Sequence, residues 1–354
     1  MTETAGRLPW ITSDVPGSGG AVKASPEDFR VDEIPAYLPS GQGPHLYLHV
    51  EKRGRTTRDV VRAIASALGV DEREAGVAGL KDRQAVTTQW LSFLTPKDPD
   101  PAAVFGDGFR VLGASRHANK LRTGHSRGNR FQILVRGGDL GAARACAAAL
   151  DARGFANFFG PQRFGAGARN ADLGRAILLG RLDAAEARRA ARDRFLRRLC
   201  LSAWQALLFN RWLAARIADG LFDRALAGDV MKKLESGGVF HCTDPEADTE
   251  RVRRFEISPA GPMFGHKLRP AEGEAGAREA RLLAGEGVGQ AELKRAGGEA
   301  EGTRRAARLP LRVELEPAAD GYRAIFELPR GSYATMVMGE LVKGDTDLAE
   351  GGDG

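Results

Sequence analysis

The chain has 354 residues, 42% of them hydrophobic and 28% charged, with a formal net charge of +6. That length buries a large core and divides into about two or three domains, and the apolar fraction excludes a wholly disordered chain. No stretch approaches the roughly 18 uncharged apolar residues of a membrane span, which excludes an integral membrane protein built on helices.

The segment 21–50 reads as short strands. Phe29 and Val31 alternate in one, and Leu46, Leu48 and Val50 share one face of the next, leaving His45 and His49 on the other. Residues 57–68 read as a helix with Val60, Val61, Ile64 and Leu68 in one stripe, a cap among Thr56, Thr57 and Asp59, and Gly69 as the stop. Val77–Leu80 and Val86–Phe93 read as strands around the polar turn Lys81-Asp82-Arg83-Gln84. The tract 109–136 holds seven Lys/Arg, with no acid between Asp107 and Asp139. It is a candidate nucleic-acid surface ending in the strand FQILVR. Arginine dominates the basic residues overall, 42 against ten lysines, which suits phosphate recognition and is equally what a GC-rich coding sequence gives.

A helix over 139–154 ends at Gly154, and FANFFGPQRFGAGARN reads as a structured loop. Residues 184–218 read as helical, with Phe195, Leu196, Leu199, Ala203, Leu207 and Leu208 inward and Ser202 capping a second helix after a kink. The Ala/Gly/Glu/Arg-rich stretch 271–308 reads as a linker or a loosely packed helical segment. LRVELE and YRAIFEL return to strands, and Ser332 is expected to cap a last helix with Ala334, Val337, Met338 and Leu341 inward. Strands at both ends and helices between them predict one sheet built from both termini, interrupted by a mostly helical insertion.

Much chemistry is absent. There is no GxxxxGK[ST] loop, no G-x-G-x-x-G after a strand and no GxSxG elbow. Cys146, Cys200 and Cys242 offer neither a disulfide framework nor a metal knuckle, and MTETAGRLPW lacks the pattern of a secretory signal, so a cytoplasmic protein is expected. What remains is a lone loop carboxylate, Asp82, which Lys81 and Arg83 are expected to keep ionised. From spacing alone it reads as a turn-forming residue.

The string AGLKDRQAVTTQW (78–90) resembles the signature around the catalytic aspartate of the TruD family of tRNA pseudouridine synthases. Other blocks follow in that family's order: KASPEDFRV (23–31), RGNRFQILVR (127–136), NFFGPQRFG (157–165), LSAWQALLFN (201–210) and LPRGSYATMVMGEL (328–341). The resemblance implies an α+β fold. A mixed, largely antiparallel sheet with helices would form a catalytic domain from 1–154 and 309–354, and a TruD-type α/β insertion domain would span 155–308, in a V-shaped chain. It implies isomerisation of uridine to pseudouridine, typically at uridine-13 of tRNA, with no cofactor, no metal and no membrane. The partner is tRNA, no obligate protein partner is implied, and a monomer is expected.

Carried over residue by residue, the resemblance makes Asp82 the catalytic aspartate. Phe29, Asn129 and Tyr333 line the substrate site, and Lys23 is a secondary basic position. Taken by themselves, Phe29 reads as strand core, Asn129 as a turn residue after Gly128, and Tyr333 as an aromatic at a helix start. Departures from the family pattern are Leu80, Arg83–Gln84, Phe158 for Tyr, Pro161, and Tyr333 where Phe is common. The competing readings are an RNA-binding or tRNA-folding module without catalysis, and the same isomerisation on another RNA.

Overall fold

A computed structural model describes residues 8–22, 24–100 and 104–344. The chain divides into two compact units: one holds residues 15–148 with the segment from 311, the other residues 149–310 with the segment up to Asp14. These divisions fall at 148/149 and 310/311, against the 154/155 and 308/309 expected, and the segment up to Asp14, expected with the first unit, groups with the second. Among the described residues, no helix is long and apolar enough to cross a membrane.

The first unit is built on a ten-stranded sheet. Its neighbours run Glu314–Ala318, Gly321–Pro329, Ser126–Arg136, Phe29–Pro35, Val86–Leu94, His45–Arg53, Phe109–His117 and Phe105–Gly106. All of these pairings are antiparallel except one, Phe29–Pro35 beside Val86–Leu94. The C-terminal strand Gly321–Pro329 pairs with Ser126–Arg136 over nine residues, which joins the two ends of the chain in one sheet.

The alternation seen in the sequence sets one apolar face. Leu46, Leu48 and Val50 from one strand and Leu91 and Phe93 from its neighbour are buried under the helix Thr57–Leu68, against Val60, Ile64 and Leu68. Thr56 caps that helix through a reciprocal pair with Asp59, and Gly69 ends it at φ 66°, a left-handed turn that glycine adopts without strain. The helix Ala334–Val342 buries Ala334, Val337, Met338 and Leu341. Its N-cap is Tyr333; Ser332 instead closes the preceding turn on the Pro329 carbonyl at 3.2 Å.

The second unit is less helical than its sequence suggests. It contains a four-stranded antiparallel sheet in the order Val239–His241, Val230–Lys233, Ile257–Met263, Thr303–Ala306. Two of these strands were missed because ISPAGPM carries two prolines and TRRA has no apolar alternation. The stretch 271–308 is not a linker. It forms the helices Gly273–Gly285 and Gln290–Ala296, and Val288, Leu293, Ala296 and Ala300 pack on Trp204 and Leu208. One large indole supplies the bulk that the alanine-rich segment lacks. Ser202 starts no helix: Arg194–Ala218 runs through it, and the break lies at Asp193, whose Oδ1 accepts from the amides of Phe195 and Leu196. Phe195, expected inward, is exposed in that first turn.

The basic tract is not one uncompensated surface. It contains the strand Phe109–His117 as well as Ser126–Arg136. Arg110 pairs with Glu51, Arg116 with Asp98, Lys120 with Glu74 and Arg136 with Asp28, so acids distant in sequence supply the counter-charge. Arg122, Arg127 and Arg130 are exposed and make no ion pair among the described residues.

Asp28 takes both forks of Arg136, at 3.0 and 2.7 Å, and so ties the SPEDF turn to the strand carrying Asn129. The guanidinium holds the Asp28 carboxyl below the ordinary aspartate value, against the opposing effect of burial. Its folded value is therefore below its unfolded one. The pair stabilises above about pH 4 and loses that contribution as pH falls further. In denaturant titrations across pH 2–6, Asp28→Asn should flatten the acid limb and lower stability at neutral pH; an unchanged limb would remove this pair from the acid response.

Candidate active site

The parallel pair at the centre of the sheet places the AGLKD loop. That loop follows Gly76–Val77 and precedes Val86–Leu94, so Asp82 lies where the latter strand begins. Three buried side chains anchor it. Lys52 is 1% exposed, and its Nζ donates to the Asp82 carbonyl at 2.6 Å and to the Arg55 carbonyl at 2.8 Å. The Lys81 amide donates to Thr57 Oγ1 at 3.0 Å. The Lys81 ammonium meets Glu33 Oε2 at 2.7 Å. The ammonium expected to keep Asp82 ionised pairs here with a buried carboxylate of the strand Phe29–Pro35. Arg83 is exposed, and its Nε donates to the Gly54 carbonyl at 3.2 Å.

Glu33 links this loop to the other candidate residues. Its second oxygen accepts from the Trp90 amide at 3.3 Å, and across the antiparallel ladder it sits directly opposite Asn129. Residues opposite one another share a face. Asn129, Glu33 and, two and four residues back, Val31 and Phe29 therefore lie on one side of the sheet. Asn129 Oδ1 is buried and has no hydrogen-bond partner among the described residues. Gly128 is needed beside it, since a Cβ there would stand 2.2 Å from the Leu328 carbonyl oxygen of the paired strand.

Phe29 is 5% exposed and meets Phe131 edge-on at 6.2 Å, and Phe131 stacks on Phe326 at 5.4 Å. It is part of an aromatic row on the sheet face it shares with Asn129. Tyr333 follows the strand whose Leu328 pairs with Asn129, and it is half-buried at the start of the last helix. Lys23 lies outside the described residues. All four other candidates fall within the first unit.

Sequence reading missed Lys52 and Glu33, although a signal was present. The inward positions 46, 48, 50 continue to Lys52, and 29, 31 continue to Glu33, so both alternations end on a charge pointing inward. A buried charge needs a partner, and each finds it at the loop of Asp82.

The model of the family tRNA pseudouridine synthase D (TruD) matches residues 7–189 and 183–341. The chain belongs to the TruD family. A relative named tRNA pseudouridine synthase D from Anaeromyxobacter dehalogenans strain 2CP-1 is 70% identical over 346 residues, covering 98% of this chain and 99% of its own. A protein of that name from Thermus thermophilus is 44% identical, covering 95% and 92%. The crystal structure of a TruD protein from Methanosarcina mazei superposes with a TM-score of 0.74 over 95% of this chain and 96% of that one; at 24% identity it speaks for the fold alone. The mixed, largely antiparallel α+β architecture is thus that of TruD proteins.

Proposed function

We propose that this TruD-family protein is an isomerase that converts uridine to pseudouridine in tRNA, at uridine-13, with Asp82 as its catalytic carboxylate and no cofactor. The observation that supports it most is the anchoring of the Asp82 loop. Buried Lys52 and the Lys81–Glu33 pair fix the main chain at this residue, on the sheet face that also carries Asn129 and Phe29. A turn-forming aspartate needs no such support.

The reaction breaks the N1–C1′ bond, turns the uracil and joins C5 to C1′; the C5 proton is lost and N1 gains one. Hydrolysis of a glycoside uses a second carboxylate to activate water. Here the departing base is itself the returning nucleophile, so one carboxylate suffices. Asp82 either attacks C1′ or removes the 2′ proton to give a glycal. The Asn129 amide reads the edge of a flipped uracil, Phe29 walls the site, and Tyr333 supplies a ring for stacking. The unit carrying Asp82 serves as the catalytic domain and residues 149–310 as the family's insertion domain, in a cytoplasmic monomer.

Tritium release from 5-tritiated uridine in tRNA tests the activity, with release expected from the wild type and none overturning the reading. Exposed Arg122 and Arg127 are assigned to the RNA backbone. Neutralising both should weaken tRNA binding and lower the salt slope by about one unit for each phosphate left without its arginine. Unchanged affinity and slope in filter binding would move the footprint elsewhere.

A further inference from the structure

One buried side chain beside the Asp82 loop has no place in the reaction described so far. Gln89 is 2% exposed and points to the same face of its strand as Thr87. Its Oε1 accepts from Thr57 Oγ1 at 2.9 Å. That hydroxyl also accepts from the Lys81 amide, and a reversed Gln89 amide would leave its single proton without an acceptor, so the proton goes to Gln89. Pairing that proton places the amide oxygen toward Thr57 and the NH2 group away from it. Nε2 is buried and has no hydrogen-bond partner among the described residues. Neither has Thr87 Oγ1, nor Asn129 Oδ1 across Glu33 on the same face. Buried polar groups in proteins are nearly always paired, and exceptions that share one face of neighbouring strands point to a ligand that pairs them.

Gln89 Nε2 is a donor and so matches either acceptor of a uracil edge, O2 or O4. We propose that Gln89 is a uracil-binding residue, its NH2 group held in a fixed orientation by Thr57 and donating to one carbonyl oxygen of the target base. The inference rests on the function proposed above and names a contact within that site. As the N1–C1′ bond breaks, electrons pass from it into the base, and negative charge gathers on O2 and O4. A donor aimed there binds the leaving uracil more strongly than the ground state. Its loss therefore falls on kcat more than on KM.

The test compares wild type, Gln89→Leu and Gln89→Met on tRNA carrying uridine, 2-thiouridine or 4-thiouridine at the target position, sulfur being the weaker acceptor. On uridine, each variant should lose about 10- to 100-fold in kcat, the range expected when a buried donor is removed. With one of the thio substrates the wild type should lose a similar factor, and the variants should lose nothing more, because donor and acceptor form one interaction. Variants within about threefold of wild type, or losses that multiply with both thio substrates, would overturn the assignment. If neither variant folds, wild type that turns over both thio substrates at the uridine rate overturns it alone. A wild type inactive on uridine tRNA would instead overturn the function beneath it.

Discussion

Asp82→Asn should lower pseudouridine formation by at least about a thousandfold, roughly 4 kcal/mol of transition-state stabilisation, while leaving the fold intact. The loop is held by main-chain contacts that the substitution does not touch: the Asp82 carbonyl on Lys52 and the Lys81 amide on Thr57. Asparagine is nearly isosteric and suits a turn as well as aspartate does, so a structural role predicts near-normal turnover. The chemical role requires a charged carboxylate that can attack C1′ or take a proton, and an amide does neither. Affinity for tRNA should be kept or rise slightly, because one negative charge near phosphates is removed. Tritium release alongside filter binding and a melting curve separates these outcomes. Turnover within a few-fold of wild type would remove Asp82 from the mechanism.

The second large effect is expected at Lys81. Its side chain is 8% exposed and that of Glu33 1%, at 2.7 Å. Removing one partner of a buried ion pair strands the other charge and costs about 3–5 kcal/mol. Lys81→Met should therefore lower Tm by roughly 6–20 °C for a unit of this size, and the double variant Lys81→Met/Glu33→Gln should recover a large part of that. Both should still be slower than wild type, because the pair also fixes the residue next to Asp82. Thermal and urea unfolding give the comparison. A single variant within about 1 kcal/mol of wild type would mean the pair behaves as an exposed one.

The parts of this architecture that depend on local periodicity were legible in the sequence. Alternation at 46, 48, 50 and the stripe Val60, Val61, Ile64, Leu68 define elements and their buried faces directly. Pairing between distant segments was not legible. The acid-free tract 109–136 suggested an open basic surface, yet Glu51, Asp98, Glu74 and Asp28 reach it from elsewhere. Two strands of the second unit's sheet escaped notice because prolines occupy one and arginines the other.

At the candidate site, the blocks around Asp82, Phe29, Asn129 and Tyr333 were visible only through resemblance to a family. Their physical support, Lys52, Glu33, Thr57 and Gln89, comes from neighbouring strands and the start of a helix, and only the folded chain brings it together. The inward-facing charges of Glu33 and Lys52 were the one local sign of it.

The most direct test of the central claim is a map of pseudouridines in total cellular RNA from cells with the gene, without it, and complemented by wild type or Asp82→Asn. The function proposed here predicts that pseudouridine at position 13 of tRNA disappears on deletion, returns with the wild type, and does not return with Asp82→Asn. A map unchanged by deletion, or restored equally by both forms, would contradict it.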